Sequence, residues 1–304
     1  MTARPRVGAI EAGGTKMVCG VGRTLEELLD PSSQAVVPTG PDPRATWAEV
    51  RDFFVGAGPV DALGVASFGP LDLDAGTIVS TPKAGWDGFS WRERARELTG
   101  GPLVLDSDVD AAALAEWHHG AARGAAVAVY VTVGTGIGGG CVLDGRVLRG
   151  RRHPEMGHLR LRRRPGDEAA STCPYHDDCW EGLASGEAMR RRHGSRAEEL
   201  PADHPGWAVE ADYLGLGVAD LLVTLAPDRL VLGGGVLAHP GLLEDVRRHA
   251  GAHLNGYAGL GRTGEGGTGP LDDLVVAPGL GSRAGLVGAF ELAVRGLDGS
   301  PPTG

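Results

Sequence analysis

Short apolar runs bounded by glycines alternate with longer stretches of helical spacing. The run at 7–10, the glycine-rich segment 11–16 and the run at 17–21 predict strand, turn and strand. That is a hairpin, not the strand-to-helix passage of a Walker A loop. Apolar positions at helical spacing predict a helix over 43–57, and continuous apolar residues predict a strand over 63–67. A helix over 91–99, closed by Gly100 and Gly101, precedes a strand at 103–105 and an alanine-rich helix at 111–119. The grammar then repeats, with a strand at 126–133, a glycine turn at 134–140 and a strand at 141–143. Helices follow at 186–193, 207–225, 242–254 and 284–295, and strands at 229–232 and 274–277. Residues 256–269 read as a glycine-rich loop and 300–304 as a frayed tail. One hairpin turn per half points to an internal duplication. Strands alternating with helices predict an α/β protein of two lobes, with ligands at the carboxyl ends of strands in the cleft between them.

The length of 304 residues allows two domains. The expected division is 1–112 and 113–304, the last helix packing back on the N-terminal lobe. A net charge of −10 argues against nucleic acid as a partner. No apolar run approaches the ~20 residues of a membrane span. Strand-like residues follow Met1–Arg6 at once, so no signal peptide is expected and the cytoplasm is the expected location. Lys16 and Lys83 are the only lysines in a chain that otherwise uses arginine. A retained lysine offers a compact ammonium that suits a phosphate, or it is chance retention at an exposed site.

Cys19 and Cys141 sit in apolar runs and read as core thiols, whereas Cys173 and Cys179 lie close together in a polar loop. His158, fourteen intervening residues and then Cys173-x-x-His176-x-x-Cys179 supply four ligands of the kind a closed tetrahedral Zn²⁺ site uses. His153 rivals His158, and Glu155 and Glu181 flank the ligands. The arginines at 160, 162, 163 and 164 read as a solvated face.

Gly13, Gly14, Thr15 and Lys16 offer backbone N–H groups, a hydroxyl and an ammonium in one turn, able to cradle phosphate oxygens. Gly134, Thr135 and Gly136, with Gly138 to Gly140, form a second such turn, and a pair of them suggests a clamped nucleoside triphosphate. Gly233, Gly234 and Gly235 make a close-approach site suited to the face of a nucleoside. Asp108, between a strand and a helix, reads either as a general base or as a helix N-cap, and local sequence favours the cap. Asp106, Ser107 and Asp110 compete for the same roles.

From Gly8 to about Leu292 these motifs together resemble the ROK family of sugar kinases, and within it the bacterial fructokinases. The elements in order are Glu11-Ala12-Gly13-Gly14-Thr15-Lys16, Ser67-Phe68-Gly69-Pro70, Ser80-Thr81-Pro82-Lys83-x-x-Trp86, Asp108 to Leu114, Gly134 to Gly140, Glu155-Met156-Gly157-His158, the cysteine cluster and Leu232 to Gly235. His176, where glucokinases of the family usually place a third cysteine, and Glu11, where most actin-like ATPases have Asp, both look like the fructokinase branch.

The resemblance implies an actin-like ATPase (ribonuclease H-like) fold. It implies ATP-dependent phosphorylation of D-fructose at the 6-hydroxyl, with Asp108 as base, Mg²⁺ on the nucleotide and a structural zinc. Gly69, Pro70, Thr81, Ser107, Asp108, Glu155, His158 and Glu181 would hold the sugar, and Thr15, Lys16 and the glycine turns the phosphates. A homodimer is also implied. Family members commonly carry Asn immediately before the catalytic Asp and again two residues after it. Here Ser107 is shorter, and Asp110 adds a negative charge. Rival readings are a kinase for glucose, mannose or N-acetylmannosamine, and a sugar-binding regulator with weak catalysis. With a first strand expected near Val7, no preceding DNA-binding domain is expected.

Overall fold

The computed structural model describes residues 4–81, 83–151, 153–259 and 271–299, with no account of the Ala258 side chain. Most of the glycine-rich segment expected at 256–269, and the tail at 300–304, lie outside the described residues. The chain divides into two compact units, residues 1–115 with 282–304 and residues 116–281.

The first unit begins with β1 (Val7–Ala12) and β2 (Lys16–Gly22), then α1 (Leu25–Leu29), β3 (Gln34–Pro38), α2 (Pro43–Ala57) and β4 (Ala62–Ser67). A small hairpin, β5 (Leu71–Asp72) and β6 (Thr77–Ile78), leads to α3 (Trp91–Ala95), β7 (Leu103–Ser107) and α4 (Asp108–His119). The sheet order is β3-β2-β1-β4-β7: an antiparallel meander on one side of β1 and parallel strands on the other. α2 starts where Asp42 accepts the Arg44 N–H and Pro43 occupies the first turn, and it stops at Gly58, whose φ of 89° leaves the helical region. α3 is shorter than the expected 91–99; the chain turns after Ala95.

The second unit holds β8 (Val127–Val133), β9 (Ile137–Leu143), β10 (Arg146–Val147), α5 (Trp180–Ala184), α6 (Gly186–His193), α7 (Gly206–Leu225), β11 (Arg229–Gly233), α8 (Leu242–Leu254), α9 (Leu271–Leu274) and β12 (Val275–Val276). Its sheet order, β10-β9-β8-β11-β12, repeats the first in topology. α10 (Ala284–Leu297) belongs to the first unit and lies across β4 and β1. Helix and sheet meet there at backbone distance. A Cβ on Gly64 would stand 1.8 Å from the Ala289 carbonyl oxygen, so only glycine admits this packing.

Each unit has its own core. In the first, Trp47, Trp86, Phe89 and Trp91 pack together beneath the sheet. In the second, Trp180 and Tyr213 sit among the aliphatic residues of β8, β11, α7 and α8. Fully burying each such side chain is worth roughly 1.5–3 kcal/mol or more. No described helix is long and apolar enough to cross a membrane.

Candidate active site and metal centre

In the first unit the three parallel strands end side by side. Ala12 lies opposite Ser67, and Ser67 opposite Ser107. The segments that follow therefore emerge from one sheet edge: the Gly13–Lys16 turn, Phe68-Gly69-Pro70 with its cis peptide, and Asp108. The turn is tight. The Gly13 N–H donates to the Lys16 carbonyl at 2.9 Å, the Thr39 N–H to the Thr15 carbonyl at 2.9 Å, and the Thr39 hydroxyl to the Gly13 carbonyl at 2.8 Å. Thr81 accepts the Lys83 N–H at 3.3 Å in the loop beyond β6.

Local sequence favoured Asp108 as the cap of its helix, and the structure corrects this. Ser107 is the cap, its hydroxyl oxygen accepting the Asp110 N–H at 3.1 Å. Asp108 is the first residue of α4, where its Oδ1 accepts the Val109 N–H at 2.9 Å and the helix dipole favours a carboxylate. Asp106 and Asp110 are fully buried, while Asp108 is half-buried. Of the three acids, Asp108 is the least buried.

Glu11, which along the chain only marks the likeness to the fructokinase branch, is a chemical group of this edge. Its carboxyl lies against Gly285, where a Cβ would stand 2.4 Å from Cδ, and it accepts the Leu286 N–H at the start of α10. Burial, and then the negative charge of Asp108, push its pKa up to about 7, against the opposing pull of Lys16 and that N–H. Glu11 and Asp108 are thus an interacting acid pair. The signal in the sequence was a carboxylate opening the glycine turn.

In the second unit β8 and β11 also end together, Thr132 opposite Gly233. Gly234, at φ 101°, follows at once, and a Cβ there would stand 2.3 Å from the Val133 carbonyl oxygen. The Gly134–Gly136 turn and the Gly233–Gly235 segment are therefore neighbours. The turn is shorter than the expected 134–140, because β9 already begins at Ile137. Gly138 lies inside the ladder opposite Thr132, and Gly139 lies against Met156. The start of α6 closes the turn from behind, with the Gly186 N–H on the Gly134 carbonyl at 2.7 Å and the Glu187 N–H on that of Thr135 at 3.2 Å.

Glu181, in the first turn of α5, accepts the Ile137 N–H at 3.0 Å. Glu155 is exposed at the entry to the short turn that carries His158. His158, Cys173, His176 and Cys179 place four ligand atoms within 4.8 Å of one another. Tetrahedral zinc, with bonds of about 2.3 Å to sulfur and about 2.0 Å to nitrogen, sets S and N about 3.6 Å apart. Cys173 Sγ is 3.7 Å from His158 Nδ1 and 3.6 Å from His176 Nδ1. Both sulfurs accept backbone N–H groups, from Tyr175 and Gly182 at 3.4 Å each. The donor set and spacing fit zinc.

Of the four arginines read as a solvated face, Arg162 is exposed as expected, and the other three instead staple this loop. Arg163 donates to the Ala169 and Asp177 carbonyls, Arg164 pairs with Asp212 at 3.0 Å, and Arg160 pairs with Asp178. Asp167, held by Arg192 at 2.9 Å and by the Tyr213 hydroxyl, fixes the loop to α6 and α7. Polar residues in an irregular segment carry no period, so this role was invisible along the chain.

The ROK family model matches residues 7–295. The chain belongs to the ROK family. A fructokinase from Pediococcus pentosaceus is 39% identical over 296 residues, covering 96% of this chain and 98% of that protein. Among solved structures, a ROK hexokinase from Thermus thermophilus superposes with a TM-score of 0.77 at 32% identity, covering 97% of this chain and all of that one. A ROK family glucokinase from Streptomyces griseus, solved with glucose and AMPPNP, has a TM-score of 0.75 at 27% identity, covering 95% and 99%. With the twin sheets, these likenesses show the actin-like ATPase fold that the motifs implied. Every segment described above falls inside the stretch matched by the ROK model.

Proposed function

We propose that this ROK protein is an ATP:D-fructose 6-phosphotransferase. The observation that carries the reading is the near-full-length identity of 39% to a fructokinase, against 27% to the glucokinase. Asp108 takes the proton of the 6-hydroxyl as that oxygen attacks the γ-phosphorus, and ADP leaves. A positioned base contributes roughly 10²–10⁴-fold. The rest comes from alignment and from charge stabilisation of the transferring group.

On this reading Gly13, Gly14, Thr15 and Lys16 bind phosphate oxygens, as do Gly134, Thr135 and Gly136. Gly234 and Gly235 take the nucleoside, and Mg²⁺ carried by the nucleotide would supply neutralisation of phosphate charge. Gly138, one residue into β9 and opposite Thr132, completes that phosphate-binding set. Gly69, Pro70, Thr81, Ser107, Glu155, His158 and Glu181 hold the sugar. His158, Cys173, His176 and Cys179 would hold zinc, which would fix the tautomer and orientation of the His158 ring.

The experiment is a coupled assay of ADP release with purified protein and a panel of fructose, glucose, mannose and N-acetylmannosamine. The highest kcat/KM on fructose supports the reading, and the highest on another hexose overturns the substrate. The hexokinase and glucokinase neighbours favour that second reading. No ADP release with any sugar favours a sugar-binding regulator. A homodimer and a cytoplasmic location complete the proposal, the first read out by light scattering in solution and the second by cell fractionation.

A further inference from the structure

Lys16 and Lys83 are the only lysines among 29 basic side chains, and the fold brings both to one turn. Lys16 closes the Gly13–Lys16 turn. Lys83, sixty-nine positions beyond Gly14, reaches back so that its Nζ donates to the Gly14 carbonyl at 2.5 Å.

The arm that delivers it is anchored at several points. Trp86 is fully buried, packs on Phe68 and Phe89 with ring centroids 5.5 and 4.9 Å away, and donates its indole N–H to the Gly40 carbonyl at 2.9 Å. The Trp86 N–H closes a turn on the Lys83 carbonyl at 3.2 Å, and the Ser80 N–H donates to Asp87 at 2.6 Å. Gly85 has a φ of 83°, and a Cβ on it would stand 2.4 Å from the Pro41 carbonyl oxygen, so the arm lies hard against the segment that leads into α2. Thr39, just before that segment, holds the glycine turn itself by two hydrogen bonds. Turn and arm are therefore one framework, and the ammonium is held where the turn's backbone can meet an anion.

We propose that Lys83 contacts the terminal phosphoryl group of the bound nucleotide, as a second lysine on the first phosphate turn. The proposal rests on the kinase reading. An ammonium has three N–H donors, so one carbonyl does not saturate it. In the transfer, the phosphorus–oxygen bond to ADP breaks, the bond to the sugar oxygen forms and Asp108 takes the hydroxyl proton. Lys83 gives up no proton; it supplies charge to the moving phosphoryl oxygens. A bare tether would need only a donor to the Gly14 carbonyl, and arginine, the commoner base in this chain, could supply that.

The test compares wild type with Lys83→Met and Lys83→Arg, measuring kcat, KM for fructose and for ATP, melting temperature, and calorimetric binding of ATP and of AMP. For Lys83→Met the expected result is a kcat lower by about 10²-fold and weaker ATP binding, with AMP binding, fructose KM and melting temperature near wild type. Lys83→Arg should recover part of kcat. A kcat and ATP affinity within threefold of wild type in Lys83→Met would overturn the proposal. So would equal loss of AMP and ATP binding together with a lower melting temperature, the signature of a tether. If wild type itself phosphorylates no sugar, the kinase reading fails, and the contrast between ATP and AMP binding still decides the role of Lys83.

Discussion

The Glu181 carboxylate accepts the Ile137 N–H at 3.0 Å, tying the acid beside the cysteine cluster to the glycine turn after β8. Gly136 makes room for it, since a Cβ there would stand 2.5 Å from Oε2. Gly136→Ala should therefore displace Glu181, at a cost of about 1–3 kcal/mol by overpacking. The expected outcome is a raised KM for both ATP and fructose. A KM change for ATP alone would show that the link carries no load toward the sugar.

Asp108→Asn should bind ATP and fructose near wild-type affinity and lose about 10²–10⁴-fold in kcat. Ser107 caps α4 through its own hydroxyl, so the helix does not depend on the Asp108 side chain, and the melting temperature should hold within a few degrees. Calorimetry and steady-state kinetics on one preparation check both halves. Near-normal turnover sinks the base assignment.

Glu11 gives a pH signature. Its ordinary pKa of 4.5 rises to about 7 in the fold. Below 4.5 folded and unfolded chains both carry the proton. Between 4.5 and 7 the unfolded chain ionises while the buried group resists, so stability falls across that window. The loss above it is on the order of 3 kcal/mol. Glu11→Gln should flatten this slope and unfold at higher denaturant than wild type at pH 8, with little difference at pH 4.5. Denaturant titrations of nucleotide-free protein at the two pH values decide it; equal slopes in both proteins would rule it out.

One zinc per chain is expected by elemental analysis of active protein. Cys173→Ser or a strong chelator should remove it, open residues 153–181 to proteolysis and raise the fructose KM more than the ATP KM. Full activity in protein shown to be free of metal would remove zinc from the sugar site.

The strand–turn–strand units at 7–21 and 126–143 were legible along the chain, because a hairpin writes its apolar runs and its glycines into adjacent positions. The clustering of His158, Cys173, His176 and Cys179 was legible for a similar reason: few residue types suit a metal, and three of the four stand within one loop. The length of the second glycine turn was not. Gly138 and Gly139 look like turn residues in one dimension, yet Thr132 and Val131 pair with them in the β8–β9 ladder.

By itself the sequence determined two α/β halves, two glycine turns, a zinc-type ligand set and the ROK resemblance, because each is carried by local composition and spacing. Only the tertiary structure decided that Ser107 rather than Asp108 caps α4, that Glu11 and Asp108 form an interacting pair, that Arg163 and Arg164 hold the loop of the cysteine cluster, and that Lys83 returns to the turn of Lys16. Those relations join residues from different elements, or choose between neighbours that local sequence allows equally. Burial and backbone geometry settle such choices, and both exist only once the chain is folded.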